Sequence, residues 1–312
     1  MSDGRPGPAA GSGQIVVSGL SKVYRNVRAV DNLSFTIEPG RVTGFLGPNG
    51  AGKTTTLRML LNLVTPTAGT ATIGGLRYAD LTDPVRHVGA VLEASSAHKG
   101  RTGINHLRVI CAAAGLPKRR ADEALEMVGL TPAARRKFKG YSLGMRQRLG
   151  IAAAMLGDPQ VLILDEPANG LDPEGIRWMR GFLRNLAVQG RTVLVSSHLL
   201  SEMQLLADDV VIIAAGRLVR QGTVETVVGS MAGSARIRVR TPQADELVTA
   251  LSAQNAEVER AGDGTLLVSG VDAPIVGRAA LAASVELHEL TTERPDLEGV
   301  FLELTSGKAA IR

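Results

Sequence analysis

The most informative segment of this chain is Gly47-Pro48-Asn49-Gly50-Ala51-Gly52-Lys53-Thr54-Thr55. It follows an apolar run from Val42 to Leu46, which predicts a strand, and it precedes a helical pattern from Thr56 to Leu61. A strand, a G-x-x-x-x-G-K-T sequence and a helix in this order predict a phosphate-binding loop, whereas a glycine-rich turn is the plain alternative. The glycines let backbone N–H groups surround phosphate oxygens at the positive end of the helix dipole. We therefore expect Lys53 to reach the β- and γ-phosphates of a nucleotide and the Thr54 hydroxyl to bind Mg²⁺.

The composition is typical of a globular chain with a substantial hydrophobic core. Of the 312 residues, 44% are hydrophobic, and no apolar run approaches the roughly 20 residues of a membrane-spanning helix. The polar, Gly- and Pro-rich residues 1–13 lack the apolar core of a secretory signal and predict a disordered tail. The single cysteine, Cys111, excludes an intramolecular disulfide and lies in a helical apolar pattern, where a buried thiol is expected rather than a nucleophile.

Positive charge is concentrated in one part of the chain. Residues 99–148 contain twelve Lys and Arg against three acids, a balance of 12 − 3 = +9, while the whole chain carries +5. This pattern is compatible with a solvated helical surface, a surface near anionic lipid or nucleotide, or a nucleic-acid patch. Aromatic residues are sparse in the segment, which argues against base stacking, and no nucleic acid is expected as a partner.

The order of strand and helix patterns predicts an α/β fold. Val161 to Leu164 is a continuous branched apolar run, typical of a strand that is buried on both faces of a parallel sheet. After a small-residue segment, the pattern βαββαβ followed by a helix predicts a small α+β, ferredoxin-like module, with its last strand at Val285 to Leu290. The predicted organisation is a tail at 1–13, a nucleotide-binding domain at 14–228 with a helical subdomain at about 98–157, a linker at 229–234 and an accessory domain at 235–312.

Two acids close the apolar strand and suit a nucleotide site. Asp165 is placed to hold Mg²⁺ through water, and Glu166 to orient and polarise an attacking water. A helix N-cap region before Pro167 is the alternative for this pair taken alone.

The chain resembles the nucleotide-binding subunit of ATP-binding cassette (ABC) transporters over about residues 14–225. The matching motifs appear in the order of that family. They are an adenine-stacking aromatic (Tyr24), the Walker A loop (Gly47–Thr54), a signature (Tyr141-Ser142-Leu143-Gly144-Met145-Arg146-Gln147-Arg148), Walker B (Val161–Asp165) with the carboxylate Glu166, a D-loop (Asn169-Gly170-Leu171-Asp172) and a switch histidine (His198).

The resemblance implies an α/β ABC-type P-loop NTPase with a mixed sheet core, an antiparallel β subdomain and an inserted helical subdomain. It implies ATP and Mg²⁺ as cofactors, with ATP held between two head-to-tail subunits, homodimeric or heterodimeric. Residues 47–55 of one copy would face Ser142 and Gly144 of the other, with Asp172 in the adjoining D-loop. Glu166 and His198 would be catalytic, and Thr54, Asp165 and the Q-loop residue would meet the metal.

Two positions depart from the family pattern. The Q-loop position that normally carries Gln is Glu93, a carboxylate that can still meet Mg²⁺ or the water. The signature has Leu143 in place of its first glycine and Met145 in place of Gln. Neither change removes a charged catalytic group, so an active ATPase is expected.

The Q-loop, signature, D-loop and C-terminal module resemble a bacterial exporter group that includes daunorubicin-resistance-like and bacteriocin self-protection ATPases. That resemblance implies an integral membrane permease encoded as a separate chain and a peripheral position at the cytoplasmic face of the membrane. Two other functions remain open: a soluble ABC-type ATPase that acts on ribosomes or nucleic acid, and an assembly factor that binds ATP without turnover. Glu166 and His198 argue against the last one.

Overall fold

The computed structural model describes residues 13–92, 97–229, 236–252, 254, 256–261, 264–293 and 297–305. The chain divides into two compact units: the first extends to Val224 and resumes at Leu304, and the second covers Glu225–Glu303. The strands are β1 (Ile15–Tyr24), β2 (Val27–Ile37), β3 (Val42–Leu46), β4 (Ala68–Ile73), β5 (Val88–Val91), β6 (Val161–Asp165), β7 (Thr192–Ser197), β8 (Asp209–Ala214), β9 (Arg217–Thr223), β10 (Arg236–Arg240), β11 (Glu257–Arg260), β12 (Thr265–Ser269) and β13 (Glu289–Glu293). The α-helices are α1 (Lys53–Leu60), α2 (Pro84–His87), α3 (Gly103–Ala113), α4 (Arg119–Met127), α5 (Leu143–Ala154), α6 (Pro173–Val188), α7 (Leu200–Leu206), α8 (Val224–Gly229), α9 (Ala244–Ser252), α10 (Ala273–Ala282) and α11 (Leu297–Thr305).

A six-stranded sheet forms the centre of the first unit, in the order β5-β6-β7-β3-β8-β9. All neighbours are parallel except β9, which runs antiparallel to β8. The side chains of β3 and β7 are buried throughout, because a parallel sheet is covered on both faces. The carboxyl ends of β6, β7 and β3 lie side by side, so the loops that follow these three strands converge on one edge of the sheet.

A second, antiparallel sheet packs against this core in the order β2-β1-β4. Phe35 from this sheet contacts Phe45 of β3, with ring centroids 5.4 Å apart. Asp31 of β2 is buried, and hydrogen bonds from Arg28 and Arg217 lower the pKa of its carboxyl group. Because Arg217 belongs to β9, its bond to Asp31 ties β2 to the edge strand of the central sheet.

Helices α3, α4 and α5 form the helical subdomain. Its interior contains Leu107, Cys111, Leu125 and Leu149, all buried, as the helical apolar period predicts. Burial raises the pKa of the Cys111 thiol, which agrees with the predicted structural role of this cysteine. With the mixed central sheet and the antiparallel sheet, this subdomain confirms the predicted fold class.

The second unit has the predicted βαββαβ order. Its four-stranded antiparallel sheet runs β11-β12-β10-β13, which is the strand order of a ferredoxin-like module. The last strand differs from the sequence prediction of Val285 to Leu290, because pairing with β10 begins only at Glu289. Val285 is buried in the core of this unit without belonging to the strand, so its apolar character reflects packing of the connection.

The structure also differs from two predicted boundaries. Gly13, predicted in the tail, is buried, and its carbonyl accepts a hydrogen bond from the Thr192 hydroxyl at 2.7 Å. Gly229, predicted in the linker, is the last residue of α8. Residues 1–12 and 230–235 lie outside the described residues, and the other domain boundaries stay predictions. Along the described ranges, no helix has both the length and the apolar character needed to cross a membrane.

Candidate active site

The phosphate-binding loop connects β3 to α1 and lines a cleft of about 250 Å³. Gly52 caps α1 with φ 98°, in the left-handed region that favours glycine. A Cβ on Gly52 would lie 2.5 Å from the Ala29 carbonyl oxygen, and one on Gly47 would lie 2.6 Å from the Ile213 carbonyl oxygen. These glycines therefore allow the backbone to turn tightly against two neighbouring strands and present its N–H groups to the cleft.

Lys53 places its positive charge at the base of the cleft. Its side chain is buried, and its Nζ donates to the Gly47 carbonyl at 2.6 Å. The same atom lies 3.5 Å from Glu166 Oε1. An ammonium group with such partners is positioned to meet phosphate oxygens that enter the cleft.

Thr54 and Asp165 meet across the site. The Thr54 hydroxyl donates to Asp165 Oδ2 at 2.7 Å, and the Ser196 hydroxyl donates to Asp165 Oδ1. A hydroxyl and a carboxylate are the hard oxygen ligands that Mg²⁺ prefers, and a nucleotide-bound Mg²⁺ needs only one or two of them from the protein. The pair therefore fits a magnesium ion.

Glu166 adopts an unusual backbone conformation. Its φ is +49°, a conformation that costs a non-glycine residue about 1–2 kcal/mol. Two hydrogen bonds hold it there, since its amide donates to Ser196 Oγ at 3.0 Å and to the Ser196 carbonyl at 3.2 Å. The carboxylate then lies 2.8 Å from His198 Nδ1, so the predicted carboxylate and switch histidine form a pair.

Ser196 is a site residue that the sequence prediction missed. It lies opposite Asp165 in the register of β6 and β7, and its hydroxyl bonds both to Asp165 and to the Glu166 amide. The available signal was the pair of hydroxyl residues that ends an apolar strand just before His198.

The signature and D-loop residues lie apart from the cleft. Ser142 caps α5, accepting a hydrogen bond from the Met145 amide at 3.3 Å, and Asp172 caps α6, accepting one from the Gly175 amide at 2.8 Å. Neither Ser142, Gly144 nor Asp172 lines the cleft. Within one copy, the structure therefore does not bring the signature to the phosphate loop.

Tyr24 and Glu93 complete the set of predicted residues. Tyr24 ends β1 and is 45% exposed, with the Lys22 ammonium 5.0 Å from the centre of its ring. It does not line the cleft, so its adenine-stacking role stays a prediction. Glu93 lies outside the described residues, and its metal-binding role stays a prediction as well.

Two family profiles match the chain. The ABC transporter profile matches residues 30–169, and a domain of unknown function (DUF8746) matches residues 235–298.

Relatives and solved structures point the same way. An uncharacterised ABC transporter ATP-binding protein YhcH from Bacillus subtilis is 39% identical, over 92% of this chain and 95% of its own length. The daunorubicin/doxorubicin resistance ATP-binding protein DrrA from Streptomyces peucetius is 37% identical, over 95% of this chain and 93% of its own. A solved ATP-binding subunit of an ABC transporter is similar with a TM-score of 0.63 and 29% identity, over 70% of this chain and 92% of that chain.

Proposed function

The chain belongs to the ABC transporter family as an ATP-binding subunit, and we propose that it energises export through a separate membrane permease. Members of this family are ATPases, and this chain is one of them. In this proposed function, two copies of the chain hold ATP between them, individual residues have defined roles, and a separate permease carries the substrate. The observation that carries it is the separation of two half-sites in one copy.

The first half-site contains the groups that hydrolysis needs. Glu166 orients a water molecule whose oxygen attacks the γ-phosphorus, and its carboxylate accepts the proton that the water loses. The bond to the β–γ bridging oxygen breaks, which leaves ADP and phosphate. His198 orients the carboxylate, and Lys53 meets the negative charge of the phosphates. Thr54 and Asp165 would hold Mg²⁺, which neutralises phosphate charge when bound.

The second half-site is the N-terminus of α5. A helix begins with N–H groups that have no intrahelical acceptor, and among the described residues Ser142 Oγ accepts only the Met145 amide. The amides of Leu143 and Gly144 and the hydroxyl hydrogen of Ser142 thus remain as donors suited to a phosphate anion. Because this end lies away from the cleft of its own copy, a second copy in head-to-tail orientation is needed to bring it to the nucleotide. ATP then stabilises the dimer, and hydrolysis releases it.

A groove of about 840 Å³ between the central sheet and the helical subdomain suits the permease. Its lining is mostly apolar, but it includes His106 Nδ1 and Arg146 Nε, two buried atoms without a hydrogen-bond partner among the described residues. Burial, with a contribution from Arg101, lowers the pKa of His106. Buried polar atoms without partners are costly, so a permease segment that supplies acceptors would stabilise the complex.

A cluster of cations beside this groove supports a position at the membrane surface. The backbone of residues 136–139 pairs with that of residues 99–103, which brings the exposed cations of both segments together. These cations are Lys99, Arg136, Lys137 and Lys139, and the exposed Arg135 precedes them directly in the chain. Anionic headgroups attract such clusters by about 1 kcal/mol per basic residue.

The same cluster was the reason to consider ribosomes or nucleic acid as partners. Its neighbouring aromatics, Phe138 and Tyr141, are both buried. Burial raises the pKa of the Tyr141 phenol, whose hydroxyl donates to the Ala133 carbonyl. Neither ring is therefore available for base stacking, and the transporter function is favoured.

The cargo is proposed by class. DrrA carries daunorubicin and doxorubicin resistance in its name, and an antibiotic, peptide or lipid-like molecule fits this group of relatives. The permease is expected to select the cargo. Co-purification with the permease followed by ATPase assays with candidate substrates tests this part, and a permease that neither binds nor stimulates the ATPase would refute it.

The central test uses Glu166→Gln, which retains the shape of the side chain but cannot accept the proton. Light scattering is expected to detect a dimer of this variant with Mg-ATP and a monomer without it. Lys53→Ala in the same background is expected to remain monomeric, because it loses the phosphate contact. Glu126→Gln, which changes an exposed acid on α4, is the matched control and should hydrolyse ATP like the wild type. A Glu166→Gln protein that stays monomeric with saturating Mg-ATP would contradict the two-copy arrangement.

A further inference from the structure

Two asparagines of this chain are followed by glycine, and both pairs lie in loops of the ATP-handling machinery. Asn49-Gly50 belongs to the phosphate-binding loop and Asn169-Gly170 to the D-loop. Each pair occupies the centre of a tight turn, in which the amide of the residue after the glycine donates to the carbonyl of the residue before the asparagine at 3.1 Å. The four residues of the two pairs are exposed. The two pairs are therefore closely matched in sequence and in local hydrogen bonding.

An asparagine that precedes glycine can modify itself. The backbone nitrogen of the glycine attacks Cγ of the asparagine side chain, the side-chain amide leaves as ammonia, and a five-membered succinimide ring forms. Water then opens the ring to aspartate or to isoaspartate, so the reaction consumes water, releases ammonia and involves no oxidant or reductant. Glycine favours the ring closure because it has no Cβ that obstructs the approach and because its backbone rotates freely. Asparagine is accordingly among the thermolabile residues.

The Asn49-Gly50 pair has room for this ring closure. Apart from the chain neighbours of Gly50, no atom lies within 4 Å of the position that its Cβ would occupy. Gly50 has φ +80°, and within the described part of the chain the Asn49 amide makes no backbone hydrogen bond. The peptide unit between the two residues can therefore reorient without displacing a packed group.

The Asn169-Gly170 pair is held on two sides. A Cβ on Gly170 would lie 2.5 Å from Leu143 Cδ2, so a methyl group of Leu143 covers this glycine. The Asn169 amide also donates to the Glu166 carbonyl at 3.3 Å. Ring closure here requires the peptide unit to move against a packed side chain and to break a backbone hydrogen bond, so this pair should react more slowly.

We propose that Asn49 is a site of spontaneous deamidation and that bound nucleotide protects it. This inference rests on nucleotide binding at the phosphate loop, as in the proposed function. Asn49 and Gly50 line the cleft, where phosphate oxygens bind backbone N–H groups and thereby hold the loop in one conformation. The aspartate product places a negative charge beside the phosphates and repels them, and isoaspartate also lengthens the main chain by one carbon atom. Protein without nucleotide thus loses its capacity to bind ATP with time, whereas occupied protein retains it.

The experiment follows both pairs in the same molecules. The full chain is incubated at mildly alkaline pH in water that contains heavy oxygen, then digested with trypsin and analysed by mass spectrometry. Cleavage after Arg and Lys gives the peptides 42–53 and 149–177, which contain Asn49 and Asn169 as their only asparagines. Without nucleotide, Asn49 should gain heavy oxygen severalfold faster than Asn169.

Mg-ADP is the probe for protection, because it occupies the loop without supporting the ATP-dependent dimer. At about ten times its dissociation constant it leaves about one loop in eleven empty, so the rate at Asn49 should fall about tenfold. The rate at Asn169 should not change. Displacement of a fluorescent ATP analogue verifies that Mg-ADP is bound.

Three variants separate the structural reasons. Leu143→Ala uncovers Gly170 and should accelerate the reaction at Asn169 but not at Asn49. Leu205→Ala truncates a leucine of similar exposure on α7 and is the matched control, which should change neither rate. Asn49→Gln can close only a larger ring, so it should retain its own initial affinity for the fluorescent analogue throughout an incubation in which the wild type loses affinity.

A rate at Asn49 equal to or below that at Asn169 in the nucleotide-free protein overturns the proposal. An unchanged rate at Asn49 with bound Mg-ADP overturns the protection, and an unchanged rate at Asn169 in Leu143→Ala overturns the role of the leucine cover. If the chain binds no nucleotide, the proposed function fails. The ratio of the two rates in the nucleotide-free wild type still decides whether Asn49 is the modification site.

Discussion

Replacement of Ser196 by alanine tests the local chemistry of the site most directly. The Ser196 hydroxyl donates to the Asp165 carboxylate and accepts a hydrogen bond from the Glu166 amide. One substitution therefore removes a hydrogen bond from the side chain of Asp165 and another from the backbone of Glu166. A hydrogen bond to a charged group contributes about 1.5–3 kcal/mol. If that contribution positions the two acids for hydrolysis, its loss lowers kcat about tenfold to a hundredfold, at roughly 1.4 kcal/mol per factor of ten.

The assay is steady-state hydrolysis at saturating Mg-ATP, with nucleotide affinity and melting temperature measured in parallel. Ser197→Ala is the matched control, because Ser197 is also buried at the end of β7 but its hydroxyl, within the described part of the chain, bonds to the Leu199 amide and to neither acid. We expect Ser196→Ala to lose turnover while retaining most of its ATP affinity, since Lys53 and the phosphate loop are unchanged. Turnover within about twofold of the wild type, or an equal loss in Ser197→Ala, would show that the Ser196 hydroxyl does not position the two acids.

Three further predictions follow from the geometry. Gly52→Ala should abolish binding of a fluorescent ATP analogue because its Cβ would collide with the Ala29 carbonyl. Gly50 also has a positive φ, +80°, but apart from its chain neighbours no atom lies within 4 Å of its Cβ position, so Gly50→Ala carries backbone strain without the collision and should bind more tightly than Gly52→Ala. The Asp31 carboxyl has a pKa below its usual value of about 3.9, so it stabilises the folded protein above that pH, and this contribution is lost as the pH falls through the lower folded pKa. Asp31→Asn should flatten the corresponding part of the curve of unfolding free energy against pH, measured by urea unfolding. The buried Cys111 thiol has a raised pKa and should resist a thiol reagent in the native protein, with labelling that tracks unfolding as urea increases.

The candidate site residues that could be predicted from the sequence are those whose chemistry is local. The phosphate loop, the acids that close β6 and the histidine after β7 could be predicted, because they end apolar strands, and parallel strands bring their carboxyl ends to one edge. Ser196 was missed, since its role depends on β7 lying between β6 and β3, and no sequence pattern gives the order of strands in a sheet. The last strand of the second unit was placed four residues early because burial of Val285 produces the same apolar pattern as pairing.

Most of the elements, the phosphate loop, the residue types proposed for catalysis and the family could be predicted from the amino-acid sequence, because they depend on residues close together in the chain. Three contacts or separations became visible only in the folded chain: Ser196 bridges Asp165 and Glu166, Ser142 lies away from the cleft of its own copy, and Leu143 rests on Gly170. Each of these depends on the register and order of strands, and hence on packing between segments that are far apart in sequence. A pattern of nearby residues specifies which groups are present, whereas long-range packing specifies which of them meet.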